Sequence, residues 1–491
     1  MRDPNYSSEE MEIENDTGDW TVEKLNKVKD QFLAQRSVSK AISLLEELLG
    51  TKVDDIDDEI WTDVHDLLIV IFDTIPIQIM LESHQIVLLS VINHSPDKVI
   101  DLIAYHYIEP NISKITEVIK TSALAITVAL ARRIPGEPCY ESLARILWRF
   151  IEVKEVVKEF EEQLKNDNSQ LRFRVHHVTS LALKNKPADN GEGLNLLVKA
   201  IIKEVESQDI LCALSALEIL CDATSDHVEN AKLFQQMGLV RKIYEMMQTL
   251  KSEPEGGFLY PVCVRFFAHL SVVDPEALEK YPKFVDSVLD MVYHFDCLDA
   301  PQRALAFETL AVMSSTSSAK KIMDGYKGEY KMDKSMNHFG AACASGPVEL
   351  RIRHLDALCL MMSKFSTTSD SEILNRWFND LGEPFPELIL SYLKKPFVDL
   401  RISTLNLLAV LMNFEWARKI FFHTPGFTDY LVDRNIETSA DGNQLKFDII
   451  IKIIESMSPA IEPPDMLRLK TYRHQGVYYK EHNPELAMEN Q

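Results

Sequence analysis

Several short stretches of this 491-residue chain carry residue types that could do chemistry. Gly191-Glu-Gly193 is its one G-x-G. A phosphate loop needs such glycines so that backbone amides can approach an anion, but this one lies in a polar break with no strand before it. His176-His177 is a candidate metal pair, yet neighbours on a helix diverge by about 100° and cannot grip one ion. Asp55-Ile-Asp57-Asp-Glu59 begins like a calcium loop and lacks both the turn glycine and the closing glutamate; it reads as the acidic start of a helix. The seven cysteines (139, 212, 221, 263, 297, 343 and 359) are odd in number and form no C-x-x-C, and most sit in apolar contexts. They read as buried, reduced thiols of a cytoplasmic protein, the nucleus being the other reducing compartment. No Walker sequence, G-x-S-x-G elbow, kinase set, H-E-x-x-H, zinc-finger or RNP spacing is present. The reading is a protein that recognises rather than transforms: not an enzyme, with no cofactor and no metal.

One further pattern bears on recognition. A helix type recurs at Arg174-Val-His-His-Val-Thr-Ser-Leu, Ala213-Leu-Ser-Ala-Leu-Glu-Ile-Leu, Arg303-Ala-Leu-Ala-Phe-Glu-Thr-Leu, Arg351-Ile-Arg-His-Leu-Asp-Ala-Leu and Arg401-Ile-Ser-Thr-Leu-Asn-Leu-Leu. Counting the first residue as position 0, position +4 holds Val178, Leu217, Phe307, Leu355 and Leu405, and +7 holds leucine in every copy. Position +5 is Thr179, Glu218, Glu308, Asp356 and Asn406. Its neighbours on the helical wheel are mostly apolar, so the polar column is out of keeping with its surroundings. Two roles fit it. The column could face a basic surface of a bound partner, or each acid could bond the end of an adjacent helix and steady the stack. Glu218, Glu308, Asp356 and Asn406, with the arginines that open three copies, Arg303, Arg351 and Arg401, are the candidate partner contacts.

The elements that position this column follow from the spacing. Successive copies are 39, 90, 48 and 50 residues apart, and 90 is about two units of 45. A helical period of about 40–50 residues is the armadillo/HEAT signature. The fold class expected is therefore all-α, an armadillo/HEAT-like α-solenoid: a helix pair cannot bury its apolar stripe alone, and stacking on the next pair makes one continuous core. Helix ends are marked locally. Asn111, Ser207-Gln-Asp209 and Ser225 offer capping oxygens, Pro282 and Pro347 suit a first helical turn, and Gly238 and Pro425-Gly426 suit tight helix–helix corners.

Composition agrees. Glycine is only 16 of 491 residues, too few for an all-β or glycine-loop architecture. Acids outnumber bases by 75 to 52, a net −23, which opposes binding to nucleic acid or anionic lipid. Residues 385–480 are nearly neutral, with 12 bases and 11 acids, so the excess lies in the rest of the chain and suggests a basic partner for it. No apolar run approaches the roughly 18 residues of a membrane span. The organisation expected is an acidic tail at 1–20, one solenoid over 21–480 and a short tail at 481–491, monomeric when free.

In the C-terminal half the residues become specific. Phe258-Leu-Tyr-Pro, Tyr281-Pro-Lys-Phe-Val-Asp-Ser-Val and Pro347-Val-Glu-Leu-Arg-Ile-Arg-His-Leu-Asp-Ala-Leu lead to Trp416-Ala-Arg-Lys-Ile-Phe-Phe-His-Thr-Pro-Gly-Phe-Thr-Asp-Tyr-Leu-Val-Asp-Arg434. With Leu467-Arg-Leu-Lys-Thr-Tyr-Arg-His-Gln-Gly-Val-Tyr-Tyr479, they resemble the 26S proteasome non-ATPase regulatory subunit 5 family, from about Asp209 to Tyr479. The resemblance implies a chaperone for assembly of the base of the proteasome regulatory particle. It would bind the C-terminal domain of one ATPase-ring subunit, hold it beside a neighbouring ATPase and the large scaffold subunit of the base, and leave before the particle is complete. A general armadillo-type scaffold or adaptor with a different protein client is the other reading. Within the motif, Phe427 and Tyr430 share one face and should pack inward, Asp433-Arg434 could pair internally or meet a partner, and Leu467–Tyr479 should cap the end of the stack. Solvent-facing tyrosines there would instead mark an interface anchor.

Overall fold

The computed structural model describes residues 20–50, 58–118, 123–186, 191–251, 256–382 and 384–479. Residues 1–19 and 480–491, which hold the two expected tails, lie outside them, as does the Asp55–Asp57 start of the calcium-like stretch. Helices and turns account for all the regular structure of the described residues. The packing divides the chain into two compact units, one up to Lys186 that also takes in Asn190–Ala200, the other from Ile201 onward.

In the first unit two rows of helices stack in chain order. One row runs from Asp58–Thr74 through Asp97–Leu102 and its π-helical continuation Ile103–Ile108 to Tyr140–Leu147 and Ser169–Asn185. The other runs from Gln85–His94 through Leu124–Arg132 to Lys154–Gln163. The G-x-G sits in this unit and its role is structural. Glu152 accepts hydrogen bonds from the amides of Gly193 and Leu194, both at 3.1 Å, and so caps the helix Glu192–Val205. A Cβ on Gly193 would lie 1.9 Å from the Ile151 carbonyl oxygen, which is why glycine stands there.

The second unit is built on a ladder of six helices: α1 (Ile210–Asp226), α2 (Gly256–Val273), α3 (Ala300–Met313), α4 (Val348–Ser363), α5 (Val398–Leu411) and α6 (Ala440–Glu455), each packed on the next. Outer helices back the rungs: Leu239–Leu250 lies on α2, Pro282–Tyr293 on α3, Met332–Ala344 on α4 and Phe385–Tyr392 on α5. The last helix, α7 (Pro463–Gln475), packs on α6. This is armadillo/HEAT-like solenoid packing. The repeat positions +4 and +7 make the seam: Leu217, Leu220, Phe307, Leu310, Leu355, Leu358, Leu405 and Leu408 are all 0% exposed.

The 90-residue gap holds a rung that the sequence comparison passed over. Phe267 and Leu270 of α2 occupy the seam at 0% exposure, and Ile450 and Ile453 of α6 do the same at the other end. Cys263 opens the α2 copy where other copies carry arginine or alanine, and Pro261 lies inside the helix, so the pattern is disguised. The corners at Gly238 and Gly426 form as expected, with φ of 75° and 81°. Some caps differ. Asp209 of the Ser207-Gln-Asp209 stretch caps α1 as expected, but Ser225 ends α1 rather than opening the next helix. Asn111 donates back to the Tyr107 carbonyl, and Pro347 is an N-cap residue rather than a first-turn one.

Candidate protein-docking face

The polar column lies in the second unit on the solvent side of the ladder, and its members bond across rungs. Glu218 of α1 meets Arg265 of α2 at 3.6 Å. Glu308 of α3 accepts from Arg353 Nε of α4 at 2.7 Å. Asp356 of α4 is hydrogen-bonded by Ser403 of α5. In every case position +5 of one rung reaches position +2 of the next. The acids therefore bond side chains of the adjacent rung, not the helix ends that sequence reasoning considered. Burial raises the pKa of Asp356 and the nearby Glu308 charge adds to this, while the Ser403 hydroxyl opposes it. Asn406 is exposed on α5. Thr179 belongs to the first unit, is buried and bonds the Val175 carbonyl at 3.1 Å.

Of the three candidate arginines, Arg401 is sealed inside the stack, which removes it as a partner contact, while Arg303 and Arg351 stay half-buried. Each reaches back to the loop that precedes its own helix. Arg303 donates to the Leu298 and Asp296 carbonyls at 3.0 and 3.1 Å, Arg351 to Gly346 at 2.8 Å and Arg401 to Lys395 at 2.8 Å. Arg401 is 4% exposed and ion-paired with the buried Glu437. Guanidinium donors satisfy carbonyls at a helix–loop junction that would otherwise be orphaned. Lys446 does the same for α6, bonding the Asp433 carbonyl beneath the Tyr430 ring.

Between the rungs runs half-exposed aliphatic surface: Leu214 and Ile219 on α1, Leu305 and Val312 on α3, Ile352 and Leu360 on α4, Ile402 and Val410 on α5. Around α2 and α3 this face opens into a groove of about 930 Å³, lined among others by Tyr260, Arg265, Leu305, Glu308 and Arg353. Asp290 forms part of its wall. Burial works against the Asp290 charge, but hydrogen bonds from Tyr330 at 2.7 Å and Lys251 at 3.0 Å outweigh it and hold its pKa below the carboxylate norm. The face thus combines apolar strips with charges of which two pairs, Glu218–Arg265 and Glu308–Arg353, are matched inside the molecule. Such a mixture of apolar and polar surface suits protein docking.

All seven cysteines are free thiols. Burial pushes Cys139, Cys221 and Cys263 up to about 12, which suppresses the nucleophilic thiolate. Among the described residues no three His, Cys, Asp or Glu side chains are grouped to hold a metal ion. His176 is buried and His177 half-buried in the helix Ser169–Asn185.

A ladder of stacked helices with a bonded, partly apolar open face defines the chain as an armadillo/HEAT-like helical-repeat protein. The family profile described as "Proteasome non-ATPase 26S subunit" matches residues 8–491, and the chain belongs to that family. The "26S proteasome non-ATPase regulatory subunit 5" of Homo sapiens is 27% identical over 339 residues, covering 65% of each chain. That of Drosophila melanogaster is 23% identical over 335 residues, covering 67% of this chain and 64% of the fly protein. The match thus spans less than two thirds of these relatives' own length. A solved importin beta is similar with a TM-score of 0.43 at 11% identity, over 92% of this chain and 67% of that one.

Proposed function

We propose that this protein is a non-enzymatic chaperone for assembly of the base of the 26S proteasome regulatory particle. It binds the C-terminal domain of an ATPase-ring subunit, holds it with a neighbouring ATPase and the large scaffold subunit, and is absent from the finished proteasome. The observation that carries this reading is the family match across residues 8–491, supported by relatives named as a non-ATPase regulatory subunit. The ladder face of the second unit supplies the means. Its aliphatic strips offer buried area, and the cross-rung pairs Glu218–Arg265 and Glu308–Arg353 fix the orientation of whatever lies on them. A curved face seated on one side of an ATPase domain blocks premature docking of that domain elsewhere. Release follows when competing contacts in the growing particle outweigh it.

The test is co-purification. Tagged protein from native lysate should bring down ATPase-ring subunits together with the base scaffold and without the proteolytic core. Recovery of intact proteasomes carrying the chain stoichiometrically would refute the chaperone role. Recovery of an unrelated client with no ATPase subunit would favour the adaptor reading.

A further inference from the structure

The C-terminal end of the second unit carries a surface that the ladder face does not use. Helix α7 buries Leu469 and Tyr472 against the stack, at 0% and 3% exposure. On its opposite side Leu467, Lys470, Thr471 and His474 fall at i, i+3, i+4 and i+7 and share one exposed face, with Arg473 beside it. Leu467 is 67% exposed. Arg468 pairs with Asp429 at 2.7 Å and with Asp465 at 3.8 Å. Lys470 and Arg473 have no such acid within reach among the described residues.

The chain then turns at Gly476, whose φ is +84°. Arg434 fixes that turn by donating to the Gly476 and Tyr472 carbonyls at 2.7 and 3.2 Å while lying 3.8 Å from the Tyr472 ring centroid. So Arg434 serves the fold, and the tyrosines that follow are presented on a rigid support. Tyr478 is 72% exposed and Tyr479 40%. Buried tyrosines were expected of an end cap; only Tyr472 meets that description.

We infer that the exposed side of α7, Leu467, Lys470 and Arg473, together with Tyr478 beyond the turn, docks an acidic segment of a partner protein, one that carries carboxylates beside an apolar side chain. Charge complementarity commits it. The free cations stand on a chain of net −23, so an extended polyanion such as nucleic acid or a lipid surface is repelled by the rest of the molecule. A short acidic peptide that covers only this end is not. Aromatic and aliphatic anchors beside free cations are the composition of an interface hot spot.

The test uses the full chain and a short fluorescein-labelled peptide of alternating glutamate and leucine, read by anisotropy. The wild type should bind it, with affinity falling as salt rises, and should ignore the lysine version. Lys470→Glu with Arg473→Glu should weaken binding about tenfold, the neutral Lys470→Gln with Arg473→Gln roughly threefold, and Tyr478→Ala several-fold with the salt dependence unchanged. The melting temperature of the neutral pair should match that of the wild type, which separates docking from folding. No binding by the wild type, or equal binding by the glutamate pair, overturns the inference. So does preferential binding to phosphatidylserine vesicles, or a dimer in sedimentation that the glutamate pair dissolves. Tighter peptide binding when Glu481, Glu485 and Glu489 are changed to glutamine would mean that the chain's own terminal residues occupy the face, and would also overturn it. None of these readouts involves an ATPase subunit, so failure here leaves the proposed function standing.

Discussion

Replacing Glu308 by lysine probes whether the ladder face docks a protein. Glu308 and Arg353 sit 2.7 Å apart with side chains 41% and 51% exposed. An exposed pair of this kind contributes about 0.2–1 kcal/mol, and the like-charge contact that replaces it costs a similar amount. The expected loss of stability is therefore about 1 kcal/mol, or some 2–4 °C in melting temperature for a unit of this size. Partner binding should suffer more, by at least tenfold, because a reversed charge then lies under the docked surface. The informative variant is the swap, Glu308→Arg with Arg353→Glu. It rebuilds the ion pair between α3 and α4, so calorimetry should show the melting temperature restored. Each charge now faces the partner with the wrong sign, so co-purification of ATPase-ring subunits should stay weak. Full recovery of binding by the swap would show that these charges touch no partner and only steady the stack. A fall of more than about 10 °C in the single variant would show that the pair belongs to the core, against its exposure.

Three other outcomes are expected. Arg401→Met or Glu437→Leu alone should cost about 3–5 kcal/mol, since each strands a charge buried at the α5–α6 junction. The double variant should recover part of this, and urea unfolding that gives simple additivity would refute the pairing. Gly340→Ala should destabilise by about 1–3 kcal/mol, because its Cβ would lie 2.0 Å from the Leu381 carbonyl oxygen; an unchanged denaturation midpoint would contradict the packing. Lys320 is fully buried and donates to the Ser315 and Lys364 carbonyls, and burial pulls its pKa down from 10.5 to about 8, against the nearby Asp370 charge. Between those values the unfolded chain binds a proton that the native state does not, so this contribution to stability grows as pH rises and is lost as pH falls through about 8. The stability of the wild type relative to Lys320→Met should rise from pH 8 to pH 10; parallel curves would refute it.

The repeat could be read because a buried seam demands the same apolar positions in every rung. Leu217, Phe307, Leu355 and Leu405 announce it at the same position of each copy. The α2 rung stayed hidden because Cys263 and Pro261 alter its opening while Phe267 and Leu270 keep its seam. Residues of the candidate face were only half legible. Glu218, Glu308 and Asp356 stood out as acids among apolar neighbours, whereas Arg265 and Arg353, which bond two of them, carry no signal without knowing which rungs adjoin. The arginines at position 0 look alike in sequence to a docking row. Only the structure shows that each bonds the carbonyls of its preceding loop and that Arg401 is buried.

The sequence by itself determined the helical class, the seam and the family, since these rest on periodicity and residue type, which are local and repeated. Tertiary structure alone decided that the acids bond across rungs, that Arg401 is sealed against Glu437, and that Lys470 and Arg473 have no acid within reach among the described residues. Those outcomes depend on which side chains meet from segments some 40 residues apart, and hydrogen bonds and ion pairs act only over a few ångströms.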